Sequence, residues 1–132
     1  MFADVFVILF AAHLLADYPL QTDHQAAHKA QRTAVGWRAN LTHASVHVAA
    51  ATVLLLAVGA ALGLPLHLAG TVAALAWLGL SHGFIDRRWP VLKWMNATRQ
   101  PGFAQHGGAQ HVDQAAHIAL GLLPAAVLLA AL

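Results

Sequence analysis

The sequence contains no cysteine and no glutamate, and it is poor in charge of either sign. The missing cysteine excludes disulfides and thiolate metal ligands, and it leaves the redox compartment unreadable. All five acidic residues are Asp, so the Glu–Lys patterning of a solvated surface helix is not available. Charged residues make up 9% of the chain and hydrophobic ones 59%, against about 25% charged in an ordinary soluble domain. A soluble chain of 132 residues forms one compact domain and has too little interior to hide that much apolar surface. The composition therefore describes a single integral membrane domain over residues 1–132. What the chain has in excess is histidine, ten residues against five Asp.

Four apolar stretches stand out, at about residues 2–20, 41–62, 66–85 and 112–132, each near the ~20 residues that a bilayer core requires. Gly63-Leu64-Pro65 makes a tight turn between the second and third. The other connections, Gln21 to Asn40 and Asp86 to His111, are longer and polar. All seven basic residues lie in them: Lys29, Arg32 and Arg38 in one, Arg87, Arg88, Lys93 and Arg99 in the other. Basic loops stay on the cytoplasmic side. The expected fold is thus an all-α, four-helix transmembrane bundle, antiparallel and up-down, in the inner membrane, with both termini outside. This topological role for the basic residues leaves no reason to expect a nucleic-acid partner. Met1-Phe2-Ala3-Asp4 lacks the positive region of a cleavable signal, so the first stretch is expected to remain as a helix. Trp37, Trp89 and Trp94 lie beside basic residues, as at a headgroup boundary. Arg88 to Met95 reads as a short amphipathic piece on the inner surface, and Trp77, in mid-span, as a packing residue. Small residues spaced as in Gly59–Gly63 and Gly79–Gly83 suit close helix approach.

Each stretch carries one ionisable pair at i, i+4, which stacks both side chains on one helix face. The pairs are His13–Asp17, His43–His47, His82–Asp86 and Asp113–His117. Two end a span at the basic loops and two begin a span just after them, so all eight groups lie within roughly 5–15 Å of that boundary. Polar groups facing lipid there would each cost about 2.5–3.5 kcal/mol, so they are expected to face inward and meet. Five imidazoles and three carboxylates suit divalent transition metals. Eight ligands exceed the needs of one ion, which points to two, with Zn the first expectation and Fe or Mn the alternatives. The bland alternative is a metal-free hydrogen-bonded network holding the helices in register. A second is that Asp17 or Asp86, nearest the loops, orients ligands rather than binding metal. His24 and His28 read as solvated loop residues, His67 as interfacial, and His106 and His111 as loop residues. Ser45 and Ser81 do not read as nucleophiles.

The motifs His13-Leu-Leu-Ala-Asp17-Tyr-Pro-Leu-Gln21-Thr-Asp23, then His43 and His47, His82-Gly-Phe-Ile-Asp86 and Asp113-Gln-Ala-Ala-His117 resemble domain-of-unknown-function family 3307, small bacterial and phage membrane proteins. The resemblance spans nearly the whole chain. It implies a multi-span membrane protein and brings no activity with it. The cluster is also similar, in residue type alone, to those of membrane-bound metal-dependent hydrolases.

These observations lead to an expected metal-dependent hydrolase at the cytosolic leaflet. Metal-bound water would be the nucleophile, and Asp17, Asp86 or Asp113, where not coordinated, the proton shuttle. Arg87 and Arg88 follow Asp86 and are the expected grip on a phosphate or carboxylate, with Gln21 and Gln114 as further substrate contacts. The expected substrate is a lipid or a phosphorylated small molecule. Transport of a metal ion or proton is the runner-up, and the nearly all-apolar remainder of the spans speaks against it unless a homo-oligomer supplies a path. A di-iron oxidase ranks below, because only one HxxxH box, His43–His47, lies within an apolar stretch. A non-enzymatic interaction protein stays open.

Overall fold

The computed structural model describes residues 1–132 and is helical without a strand. Helix α1 runs Phe2–Asp17 and stops at Tyr18-Pro19, because proline has no N–H to continue the ladder and its ring crowds the turn before it. Helix α2, Asp23–His28, starts on a reciprocal cap: Thr22 Oγ1 accepts from the Gln25 amide, and Gln25 Oε1 accepts from the Thr22 amide. Thr33 caps α3, Ala34–Leu62, by accepting from the Gly36 amide. Gly63 closes it at φ +63°, where the amides of Gly63 and Leu64 donate to the carbonyls of Ala60 and Gly59. After Pro65 comes α4, Leu68–Ile85, then α5, Trp89–Ala97, and the single turn α6, Pro101–Phe103. The chain kinks at His106 and Gly107, the latter at φ +90°. It then continues as α7, Ala109–Ala116, a widened π turn over His117–Leu122, and α8, Leu123–Ala131.

Both polar connections are more ordered than loops. The first holds α2 and the start of α3, and the second holds α5 and α6. Three helices are long and apolar enough to cross a membrane: Ala34–Leu62, Leu68–Ile85 and the run Pro101–Ala131. Helix α1, with 16 residues, is shorter than the usual ~20, since Pro19 ends it before the expected limit of the apolar stretch.

Helix α1 packs against α3 and α8, and α4 packs against the same two. Val5, Leu9, Leu55, Leu78, Leu122 and Leu129 meet in one apolar core toward the end that carries the Pro65 turn. The outer surface is also apolar, with Leu56, Leu68 and Leu80 mostly exposed, which is the arrangement a hydrocarbon solvent favours and water does not. Close approach comes from missing side chains. A Cβ at Gly70 would sit 2.9 Å from the Leu128 carbonyl oxygen, and one at Gly79 would sit 3.0 Å from Val48 Cγ2. The amphipathic reading of Arg88–Met95 corresponds to α5, which buries Val91 and Met95 and exposes Trp94. Trp77, read as a packing residue, lies partly at the surface and donates its indole N–H to the Leu120 carbonyl.

Candidate metal centre

Because α1 and α4 run toward the loops while α3 and α7 run away from them, the four i, i+4 pairs reach one level. The five histidines His13, His43, His47, His82 and His117 are each at most 2% exposed. Their rings form a continuous cluster: His47 and His82 lie 3.4 Å apart between centroids, His82 and His117 4.3 Å, and His43 and His47 4.7 Å.

Asp17 is the first hub. Its Oδ1 lies 3.2 Å from both His43 Nε2 and His47 Nε2, and those two nitrogens lie 3.3 Å from each other. Its Oδ2 is 3.2 Å from His13 Nε2 and accepts from Gln114 Nε2 at 3.1 Å. Asp86 is the second hub. Its Oδ2 is 3.2 Å from His82 Nε2 and 3.5 Å from His43 Nε2, and its Oδ1 pairs with Lys29 Nζ at 2.9 Å. His117 Nε2 stands 3.9 Å from Asp86 Oδ1, while its Nδ1 faces the Asp113 carboxylate at 3.3 Å.

Two sets of donor atoms are close enough to hold an ion: Asp17, His43, His47 and His82, and His82, Asp86 and His117. Two donors at 2.0–2.1 Å from a tetrahedral ion stand roughly 3.3–3.4 Å apart, close to the observed triangle of Asp17, His43 and His47. In the second set, His82 Nε2 and Asp86 Oδ2 lie 3.2 Å apart and, like His117 Nε2, are buried without a hydrogen bond of good geometry. Unpaired buried polar atoms are costly, and three converging on one point are the donor set a cation would satisfy. An imidazole nitrogen has a single lone pair, so His82 serves one ion at a time. The distinct donors then divide into two groups of one Asp and two His, one from each half of the chain.

The structure brings seven of the eight expected ligands into the buried cluster, and it separates their surroundings. His13 Nε2 faces Gln114 Oε1 at 3.1 Å as well as Asp17, and Asp113 faces His117 from a partly exposed position. Neither belongs to a set of converging donors. Gln114 thus contacts ligands, and Gln21 donates to the Asp17 carbonyl. The two arginines part company. Arg87 is buried and donates to the carbonyls of Lys29 and Gln31 at 2.8 and 2.6 Å, with its guanidinium 4.0 Å from the Trp37 ring centre. It fastens the α2–α3 connection, with both terminal nitrogens engaged by backbone carbonyls. Arg88 instead borders a cavity of about 630 Å³.

That cavity opens beside the cluster and reaches Asp17 and Asp86, with Lys29, Arg88, His111 and Leu92 on its walls. His111 lies on α7 rather than in a loop, and His106 bonds the Gly102 carbonyl. His24 and His28 stack on each other in an exposed position. Ser45 and Ser81 donate to carbonyls of their own helices, as helix-packing hydroxyls do. Two polar residues that meet the site's helices were not singled out from sequence. Asn40, bonded to the Gly83 carbonyl, continues the His43–His47 stripe one turn back, a signal hidden by treating residue 40 as loop. Lys29 meets Asp86 from a distant loop, and no spacing announces it.

Fold and site together define a helical protein with membrane-type helices and a buried histidine–aspartate cluster able to hold metal. The chain belongs to the family described as Protein of unknown function (DUF3307), whose model matches residues 5–130. No curated protein and no solved structure matches it.

Proposed function

We propose that this protein crosses the inner membrane four times, with both termini outside, and is a metal-dependent hydrolase of a phosphorylated or lipid substrate at the cytosolic leaflet. One observation carries the reading: both hub carboxylates, Asp17 and Asp86, are buried among imidazoles and yet border the same cavity. A purely structural network gains nothing from such access. A transport path would need polar groups beyond the cluster, where the apolar core of Leu9, Leu55, Leu78 and Leu122 lies instead.

Asp17, His43 and His47 would hold one ion and His82, Asp86 and His117 a second, with zinc the leading metal. A divalent ion in such a site lowers the pKa of bound water toward about 7 and polarises a phosphoryl or carbonyl oxygen. Hydrolysis would form a bond from a water oxygen to the phosphoryl or acyl centre as the ester bond breaks. Asp113, partly exposed and not among the converging donors, would carry the released proton to the leaving oxygen. His13, Gln114 and Lys29 hold the hub carboxylates in position.

Elemental analysis of detergent-purified protein tests this reading. Stoichiometric transition metal is expected, reduced in His47→Ala and His82→Ala. Unchanged metal content and unchanged stability in both variants would overturn it.

A further inference from the structure

The geometry points to a phosphoryl-recognition site in the cavity, formed by Lys29 and Arg88 beside the two hub carboxylates, with a hydrocarbon-compatible wall at Leu92. This rests on the metal-site reading above.

Charge is the first argument. Lys29 and Arg88 contribute +2 to the cavity and Asp17, Asp86 and Asp113 contribute −3, so the chain alone presents −1. One divalent ion makes the sum +1 and two make it +3. The cavity therefore selects an anion only when metal is in place, and Lys29 and Arg88 supply the part of that attraction that belongs to the chain.

Backbone geometry is the second argument. Arg88 sits at φ +61°, a region that costs a non-glycine residue free energy unless its surroundings demand it. Glycine would adopt it freely. Arg99 holds a similar φ of +59° without bordering the cavity, so what distinguishes Arg88 is its place at the rim, and Arg88→Gly would remove that side chain without adding strain. Lys29 is the third argument. Only 12% of its side chain is exposed, and its ammonium bonds Asp86 Oδ1, while Asp86 Oδ2 faces the imidazoles of His82 and His43 without a hydrogen bond of good geometry. Lys29 can therefore hold one oxygen while the other stays free for an ion, which places a fixed positive charge beside the reacting group.

The apolar part of the ligand is read from α5. Leu92 borders the cavity and is exposed on the same helix as Trp89 and Trp94, the pairing of aromatic and basic residues that seats a helix at a headgroup boundary. A phosphate placed at Lys29 and Arg88 would leave an attached alkyl chain running past Leu92 toward that surface.

The test is calorimetric titration of full-length, zinc-loaded protein in neutral detergent with inorganic phosphate and with dodecyl phosphate. Both are expected to bind, and both to weaken by at least about tenfold after EDTA stripping. Arg88→Gly is expected to keep its zinc, melt at the same or a higher temperature, and lose about ten- to a hundredfold in affinity, with Arg88→Lys recovering part of the loss. Tighter binding of dodecyl phosphate, cancelled by Leu92→Asn, identifies a lipid source, and equal affinities identify a free phosphoryl compound. Zinc-loaded protein that binds neither probe, or Arg88→Gly that binds like wild type, overturns this site and leaves the metal reading standing. Protein that takes up no stoichiometric zinc or other transition metal overturns both.

Discussion

The indole N–H of Trp77 donates to the Leu120 carbonyl at 2.9 Å, and Leu120 lies four residues before Pro124. Proline has no N–H to return to that carbonyl and its ring crowds it, so the bond that the rod cannot make within itself is made by the neighbouring helix. The widened turn over His117–Leu122 is where the rod absorbs the interruption, and His117 begins it. The proline on α8 and the tryptophan on α4 thus jointly fix the stretch that presents a ligand. Trp77→Phe is expected to cost about 1 kcal/mol in thermal denaturation in detergent. In a Pro124→Ala background, where residue 124 regains its N–H, the same substitution should cost clearly less. Additive losses would show that the two positions are not coupled.

Asp17 and Asp113 should separate cleanly. Asp17 Oδ1 is shared by two imidazoles, whereas Asp113 faces only the far nitrogen of His117. Asp17→Asn is expected to abolish metal retention through gel filtration. Asp113→Asn should retain metal with an affinity lower by about ten- to a hundredfold, measured by competition with a chromophoric chelator. Equal effects would remove the distinction between the two carboxylates.

Arg87 is expected to behave as a fastener. Arg87→Lys keeps the charge but not the fork that reaches two carbonyls or the flat face over Trp37. It should cost about 2 kcal/mol or more of stability and speed hydrogen exchange at the amides of residues 29–33, with zinc and phosphate affinities close to wild type. A selective loss of phosphate affinity in this variant would return Arg87 to the substrate site.

The absence of cysteine makes orientation easy to read. His67→Cys and Lys93→Cys each place one thiol in an exposed position, at the start of α4 and on α5. In intact cells an impermeant maleimide should label the first, and the second only after lysis. The reverse pattern would place the metal cluster on the outer side.

Much of this was legible in the chain itself. Spacing of i, i+4 forces His13 and Asp17, or His82 and Asp86, onto one helix face whatever else happens, because 3.6 residues make a turn. Gly63-Leu64-Pro65 reads as a turn because only glycine takes the left-handed cap there without strain. Lys29 was not legible, since its partner Asp86 is brought to it by α2 docking on α3 and by Arg87 gripping the carbonyls of Lys29 and Gln31. Adjacent arginines likewise look alike in sequence, yet the chain turns at Arg88 and sends one inward to carbonyls while the other borders the cavity.

The sequence by itself determined the apolar helices, the basic loops and the eight histidines and aspartates at one depth, because these follow from helix periodicity and from the exclusion of charge from an apolar phase. The tertiary structure decided which of those eight converge. Helix rotation, set by close approaches such as Gly79 to Val48 and by the wide turn after Ala116, directs Asp17, His43 and His47 to one point and His82, Asp86 and His117 to another. It leaves His13 and Asp113 to face other polar groups, an outcome that depends on packing between helices rather than on spacing along any one of them.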